Sequence, residues 1–218
     1  MESNTMGEMM SNLQTDEDIQ RVNEELKELT PLQIIKWALE YSRKPIVTTN
    51  FRPYEICLLH AMHSAKSDIK VIWCDTGYNT PATYKHAIDS IKSLSLNIYT
   101  YVPKQSVAYR NEILGLPEPG TVEHDLFTEQ VKLEPFGRAM KEHQPDFWFC
   151  NLRKGQTAFR DSIGIMSKGK DGVIKISPFY HFSDEDLDQY ILEHKLTNEH
   201  NYFDPTKVFE HRECGLHQ

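Results

Sequence analysis

The chain has 218 residues, of which 39% are apolar and 26% charged, so it can bury a sizeable core and is too apolar for a disordered chain. Its 24 Lys+Arg against 32 Asp+Glu leave a net charge of −8, which excludes the basic field that general nucleic-acid binding requires. A small anionic ligand stays compatible with that balance, because a local cluster of Arg and Lys overrules the global sign. The opening MESNTMGEMMSNLQTDED has neither a basic nor an apolar leader segment, and no apolar run reaches about 18 residues. The expectation is a cytoplasmic protein without a membrane span.

Residues 1–17 are polar and read as a flexible N-terminus. Ile19, Val22, Leu26 and Leu29 then recur at spacings of three and four, which predicts an amphipathic helix over 18–29. Thr30-Pro31 reads as a cap followed by proline at the first helical position, opening a second helix to about Arg43. From there strands and helices alternate. PIVTT (45–49) is a β-branched run, followed by the loop NFRP and the helix YEICLLHAMHSA. IKVIWC (69–74) is the nearly continuous apolar run of a buried parallel strand, then DTGYNTP turns into the helix ATYKHAIDSIKSL, and NIYTYV (97–102) is a third strand. FWFC (147–150) and VIKISP (173–178) read as further strands, and Ser183 caps a last helix with acidic residues in its first turn. The tail 198–218 has no periodicity.

The fold class is therefore α/β, a parallel-stranded twisted sheet flanked by helices, with N-terminal helices and a mobile C-terminal tail. Residues 18–197 form one domain. Ligands of such sheets bind at the carboxyl ends of the strands, where NFRP, DTGY and the residues after FWFC fall.

Four cysteines lie far apart with no C-x-x-C pair. Cys57 and Cys74 sit in apolar runs and read as small core residues; Cys150, at the ligand edge, is read the same way. Cys214 differs. In HRECGLHQ it stands beside charged residues, with His211 and Arg212 to stabilise a thiolate and no apolar run to bury it. A reactive thiol and an incidental terminal one are both open from the tail alone. NLRKGQTAFR (151–160) places Arg153, Lys154 and Arg160 where guanidinium forks suit oxyanions, against the alternative of a solvated loop. KLEPFGRAM offers Lys132 and Arg138, for which helix-surface charge is the default. The loop TTNFRPYE ends at a helix N-terminus, whose N–H groups favour an anion, though it lacks a glycine-rich fingerprint. Asp75 of DTGY either holds a nucleoside or caps the next turn.

The stretches DTGYNTPATYKH, KLEPFGRAM, WFCNLRKGQTAFR, VIKISPFYHFSDEDLDQYILEH and the terminal RECGLH run in order over roughly residues 44–218. Together they resemble the phosphoadenylyl-sulfate (PAPS) reductase family, whose fold is adenine-nucleotide α-hydrolase-like. The resemblance implies that Cys214 is the catalytic nucleophile on a tail that acts as the catalytic arm. It implies reduction of 3′-phosphoadenylyl sulfate to sulfite and adenosine 3′,5′-bisphosphate through an S-sulfocysteine resolved by thioredoxin or glutaredoxin, in sulfate assimilation. The positions it assigns to substrate are Thr49, Asn50, Phe51, Arg52, Asp75, Lys132, Arg153, Lys154, Gln156, Arg160, Arg212 and His217. It also implies a homodimer without a bound cofactor or metal. The [4Fe-4S] cluster of the related adenylyl-sulfate reductases needs a Cys-Cys pair before the KLEP stretch and a later C-x-x-C; LFTEQV stands before KLEP and only Cys214 follows Cys150. One departure is the phosphosulfate loop, which in the family reads like S-S-F-G. Here it is TTNFRPYE, with Asn50, Arg52 and Pro53 in place of small residues, so its geometry is expected to differ and Arg52 to meet an anion directly. Another is the short segment FDPTKVFEH before the final motif. A cluster-free adenylyl-sulfate reductase, and a transferase or nucleotide-binding protein of the same fold, are the alternatives.

Overall fold

The computed structural model describes residues 15–169 and 172–207. Two helices lead, and both begin at a reciprocal cap. Thr15 and Asp18 exchange hydrogen bonds at the start of α1 (Asp16–Leu26), as Thr30 and Gln33 do at the start of α2 (Pro31–Tyr41). Pro31 lies in the first turn of α2, where its missing N–H has no intrahelical partner to lose. The alternation follows as β1 (Ile46–Thr49), α3 (Glu55–Ala65), β2 (Lys70–Cys74), α4 (Pro81–Ser93) and β3 (Asn97–Tyr101). A helical excursion comes next: α5 (Val107–Ile113), α6 (Val122–Thr128), a π-helical turn (Glu129–Leu133) and α7 (Glu134–His143). β4 (Phe147–Phe149), the single-turn α8 (Ala158–Asp161), β5 (Met166–Lys168), β6 (Ile174–Ile176) and α9 (Asp184–His194) complete the described elements. No helix among the described residues is long and apolar enough to cross a membrane.

The six strands form one sheet in the order β3-β2-β1-β4-β6-β5. All neighbouring pairs run parallel except β5 with β6. Side chains of successive residues alternate between the two faces, and both faces are covered, which is why the strands read as continuous apolar runs. Val47, Val71, Trp73, Phe147 and Phe149 face the core shared with α2 and α3. Ile46, Ile72, Cys74, Trp148 and Cys150 face the opposite core, which Phe136, Ala139 and Met140 of α7 close. Emptying one such position, as in Phe149→Ala, removes a fully buried ring and costs about 3–5 kcal/mol.

The excursion and β5 were not legible in the sequence. Tyr109, Ile113, Val122 and Leu126 of α5 and α6 are exposed, so apolar spacing there does not mark a buried face. β5 has three residues and is fixed from outside: Asn23 of α1 donates to the Met166 carbonyl at 2.9 Å and accepts from the Met166 N–H at 2.7 Å.

Residues 198–207 are docked by hydrogen bonds spaced along their length. The Tyr54 N–H donates to Asn198 Oδ1 at 2.9 Å, and the hydroxyls of Thr80 and Thr83 donate to the Asn201 carbonyl at 2.7 and 3.0 Å. His124 Nε2 lies 3.1 Å from the Pro205 carbonyl, which makes it the protonated ring nitrogen. This strap crosses the carboxyl ends of the strands.

Candidate active site

In a doubly wound sheet the chain leaves adjacent strands in opposite directions at one place, and the crevice left there receives ligands. Here that place is between β1 and β4. A solvent-open cleft occupies it, bounded by Thr49 and Asn50 at the end of β1, Cys74 of β2, and Cys150 and Asn151 after β4. A smaller annex continues beneath Tyr202–Pro205 and reaches Thr76 and Asn79.

Arg52, Lys132, Arg160 and Lys207 line this cleft, against the carboxylates of Glu55 and Asp204. Each cation comes from a different segment. The π-helical turn carries Lys132 into the interior, where its side chain is only 4% exposed. This corrects the helix-surface reading of that lysine: the extra residue per turn re-aims the side chain, and buried Asp204 lies across from it at 2.6 Å. Arg138, by contrast, is on the surface as expected, pairing with Glu134. Thr157 caps α8 and so sets Arg160, whose guanidinium donates to Gln156 Oε1. Burial acts to raise the Asp204 carboxyl, but the Lys132 charge and hydrogen bonds from Lys132 and Thr206 outweigh it and hold the group below the usual aspartate value. Lys207 is lowered too, which for a base disfavours the charged form. Burial lowers it first, and the positive charges of Arg52, Arg160 and Lys132 lower it further against the opposing pull of Asp204.

The loop after β1 is organised around Glu55. Its Oε2 accepts from the Asn50 N–H at 2.7 Å and from Thr49 Oγ1 at 2.8 Å, while Oε1 accepts from Arg52 Nε at 2.8 Å. Arg52 Nη2 donates to the Asn151 carbonyl at 2.9 Å, which ties the β1 loop to the segment after β4. Phe51 and Tyr54 both take left-handed φ, 53° and 69°, a conformation that costs a side-chain-bearing residue about 1–2 kcal/mol.

The structure thus gathers Thr49, Asn50, Arg52, Lys132 and Arg160 at one cleft, with Gln156 behind Arg160. It places Phe51, Asp75, Arg153 and Lys154 elsewhere. Phe51 is a core residue, its ring edge-on to Trp73 at 5.0 Å. Asp75 Oδ1 accepts from the Gly77 N–H, Asn79 Nδ2 and Tyr84 Oη, all at 2.9 Å, so it closes its own turn; burial and this bond push the Tyr84 hydroxyl up to about 12. Arg153 reaches Asp184 at 2.6 Å and stacks over Tyr54, away from the cleft lining, and Lys154 is exposed. Cys57, Cys74 and Cys150 are buried, and burial raises all three thiols, Cys57 and Cys74 to about 12. Cys214, Arg212 and His217 lie outside the described residues. Glu55, Asp204 and Lys207 were not singled out from the sequence. Glu55 had a local signal, an acid at the first position of a helix beside an apolar loop. Asp204 and Lys207 had none, since their partners lie far off in the chain.

A mostly parallel sheet with a cation-lined crevice at its switch point defines a doubly wound α/β domain whose cleft suits a polyanion. The family model described as the phosphoadenosine phosphosulfate reductase domain matches residues 44–204. A phosphoadenosine 5′-phosphosulfate reductase of Vibrio atlanticus is 32% identical over 222 residues, spanning 91% of this chain and 86% of that protein. One from Xanthomonas campestris pv. campestris is 31% identical and spans 93% of each chain. Among solved structures, the PAPS reductase from Candida auris in its phosphate complex superposes with a TM-score of 0.73 at 25% identity, covering 84% of this chain and 89% of that one. The chain belongs to the phosphoadenosine phosphosulfate reductase family.

Proposed function

We propose that this chain reduces 3′-phosphoadenylyl sulfate to sulfite and adenosine 3′,5′-bisphosphate in sulfate assimilation. The observation that carries the reading is the cleft at the β1–β4 switch point, where Arg52, Lys132, Arg160 and Lys207 converge from four segments. A nucleotide phosphosulfate brings several negative charges close to an attacking thiolate, and converged cations offset that repulsion. The phosphate held by the Candida auris relative supports an oxyanion site in this fold.

Cys214 is the nucleophile in this reading. Its thiolate attacks the sulfur of the phosphosulfate, an S–S bond forms, the S–O bond to the phosphate breaks, and the adenosine bisphosphate leaves with that electron pair. A thiolate of thioredoxin or glutaredoxin then attacks Cys214 Sγ and expels sulfite; the donor's second thiol resolves the mixed disulfide and returns Cys214 as a thiol. Two electrons pass from the dithiol to sulfur, so no resident cofactor is required. Docking of 198–207 at the cleft supports the assignment, because Lys207 stands at the cleft seven residues before Cys214. A dimeric, cytoplasmic enzyme completes the proposal.

The test is mass spectrometry of the reduced protein after incubation with PAPS, and separately with adenylyl sulfate, without thioredoxin. The expected result is an adduct of about 80 Da on Cys214, formed faster from PAPS and absent in Cys214→Ser. No adduct from either donor on folded, reduced protein overturns the covalent reading, and a faster reaction with adenylyl sulfate overturns the substrate.

A further inference from the structure

The N-terminus of α3 is where a bound oxyanion would be sought, since its free N–H groups and dipole favour negative charge. The Glu55 carboxylate at the start of α3 is instead turned back into the β1 loop. Glu55 is buried, 5% exposed, and takes the Asn50 N–H, the Thr49 hydroxyl and Arg52 Nε at 2.7–2.8 Å. Its two oxygens are committed to the loop on one side and the guanidinium on the other. The arginine is held from a second direction by the Asn151 carbonyl, across the switch point.

We propose that Arg52 grips an oxyanion of the substrate and that Glu55, which also holds the Asn50 N–H of the same loop, is the residue that positions it. The inference rests on the phosphosulfate reading of the same cleft. Two observations favour it over a merely structural pair. Arg52 lines the cleft beside Lys132, Arg160 and Lys207, and its charge is felt there, since it is the largest electrostatic influence depressing Lys207. The planar fork, fixed along its Nε edge by a carboxylate, is also the geometry in which least side-chain freedom is lost on meeting an oxyanion.

The test is a double-mutant cycle on the full chain with Glu55→Gln, Arg52→Met and the pair, read as the KM for PAPS, kcat, and the dissociation constant of inorganic phosphate. Arg52→Met is expected to raise both constants about tenfold or more, the effect of losing one charge-assisted contact. Glu55→Gln raises KM more than it lowers kcat, and adds nothing further once Arg52 is gone. Equal factors from Glu55→Gln in both backgrounds would make Glu55 a loop brace and sink the positioning role. Unchanged constants in Arg52→Met would remove Arg52 from the site. Arg52→Lys supplies a milder replacement that keeps the charge but loses the Nε edge; it is expected to be weakened and indifferent to Glu55→Gln, and dependence on Glu55 there counts against the fork. Phosphate binding needs no turnover, so a wild-type protein that binds phosphate with this cycle intact but makes no sulfite overturns the reductase reading alone.

Discussion

Replacing Asp204 with Asn separates what holds the strap from what the cleft binds. Lys132 Nζ and Asp204 Oδ2 are 2.6 Å apart with side chains 4% and 7% exposed, and Asp204 Oδ1 also accepts from the Thr206 N–H at 3.0 Å and the Thr206 hydroxyl at 2.6 Å. Removing one charge of a buried pair costs about 3–5 kcal/mol, mostly through the charge left behind. Two features reduce that here. Lys132 keeps the Thr206 hydroxyl at 3.1 Å and lines a cleft open to water. We expect about 2–3 kcal/mol, expressed locally, because releasing 198–207 is cheaper than unfolding the sheet. Hydrogen exchange at the Thr206 and Lys207 amides should then accelerate roughly 30- to 150-fold, while amides of β1 and β2 stay protected. Inorganic phosphate should restore protection more in Asp204→Asn than in the wild type, since it supplies Lys132 with the missing negative charge. Exchange within threefold of wild type, or phosphate acting equally on both proteins, would refute the reasoning.

The same pair sets a pH dependence. Asp204 has its folded pKa below the ordinary 3.8, so its stabilisation is complete above that value and is lost as pH falls through the folded one. The stability difference between wild type and Asp204→Asn, from urea midpoints, should hold steady at neutral and mildly acid pH and shrink below 3.8; a constant difference throughout would disprove it. Lys207 is a base depressed below 10.5, so its charging cost is full below the folded pKa and vanishes as pH rises toward the unfolded value. An anion in the cleft raises it again, and phosphate binding on the alkaline side should take up protons, seen as calorimetric heats that vary with buffer. Gly77 adopts φ +81°, and a Cβ there would lie 2.4 Å from Val107 Cγ2. Gly77→Ala should cost about 2 kcal/mol and lower Tm by roughly 4–8 °C, and Val107→Ala should recover the contact but not the backbone strain; a neutral Gly77→Ala would contradict the close packing of this turn on α5.

Where local chemistry was decisive, the sequence was readable. Thr30-Pro31 and Ser183 marked helix starts because a hydroxyl three residues before an N–H satisfies it with no help from elsewhere. IKVIWC read as a buried strand because a sheet covered on both faces wants apolar side chains at every position. The exposed apolar residues of α5 and α6 gave no such cue, and β5 depends on Asn23, 143 residues away. In the cleft, Arg160 was singled out from its place after a strand, whereas Thr49 came only from the family resemblance. Arg153 was identified for the same reason, but a preference for Asp184 and the Tyr54 ring turned it aside. Sequence order alone does not tell those two arginines apart.

By itself, then, the sequence determined the mostly parallel α/β architecture, the strand ends that open on the cleft, and the family to which the ordered motifs point. These follow from periodicity, caps and contiguous motifs, all of which act over a few residues. The tertiary structure decided which charges meet. The Lys132–Asp204 pair spans 72 positions, Lys207 joins Arg52 and Arg160 from distant parts of the chain, and the Glu55 carboxylate takes the Asn50 N–H of the loop before its helix. Electrostatic energy depends on separation in space and on burial, and neither is written in neighbouring letters of the chain.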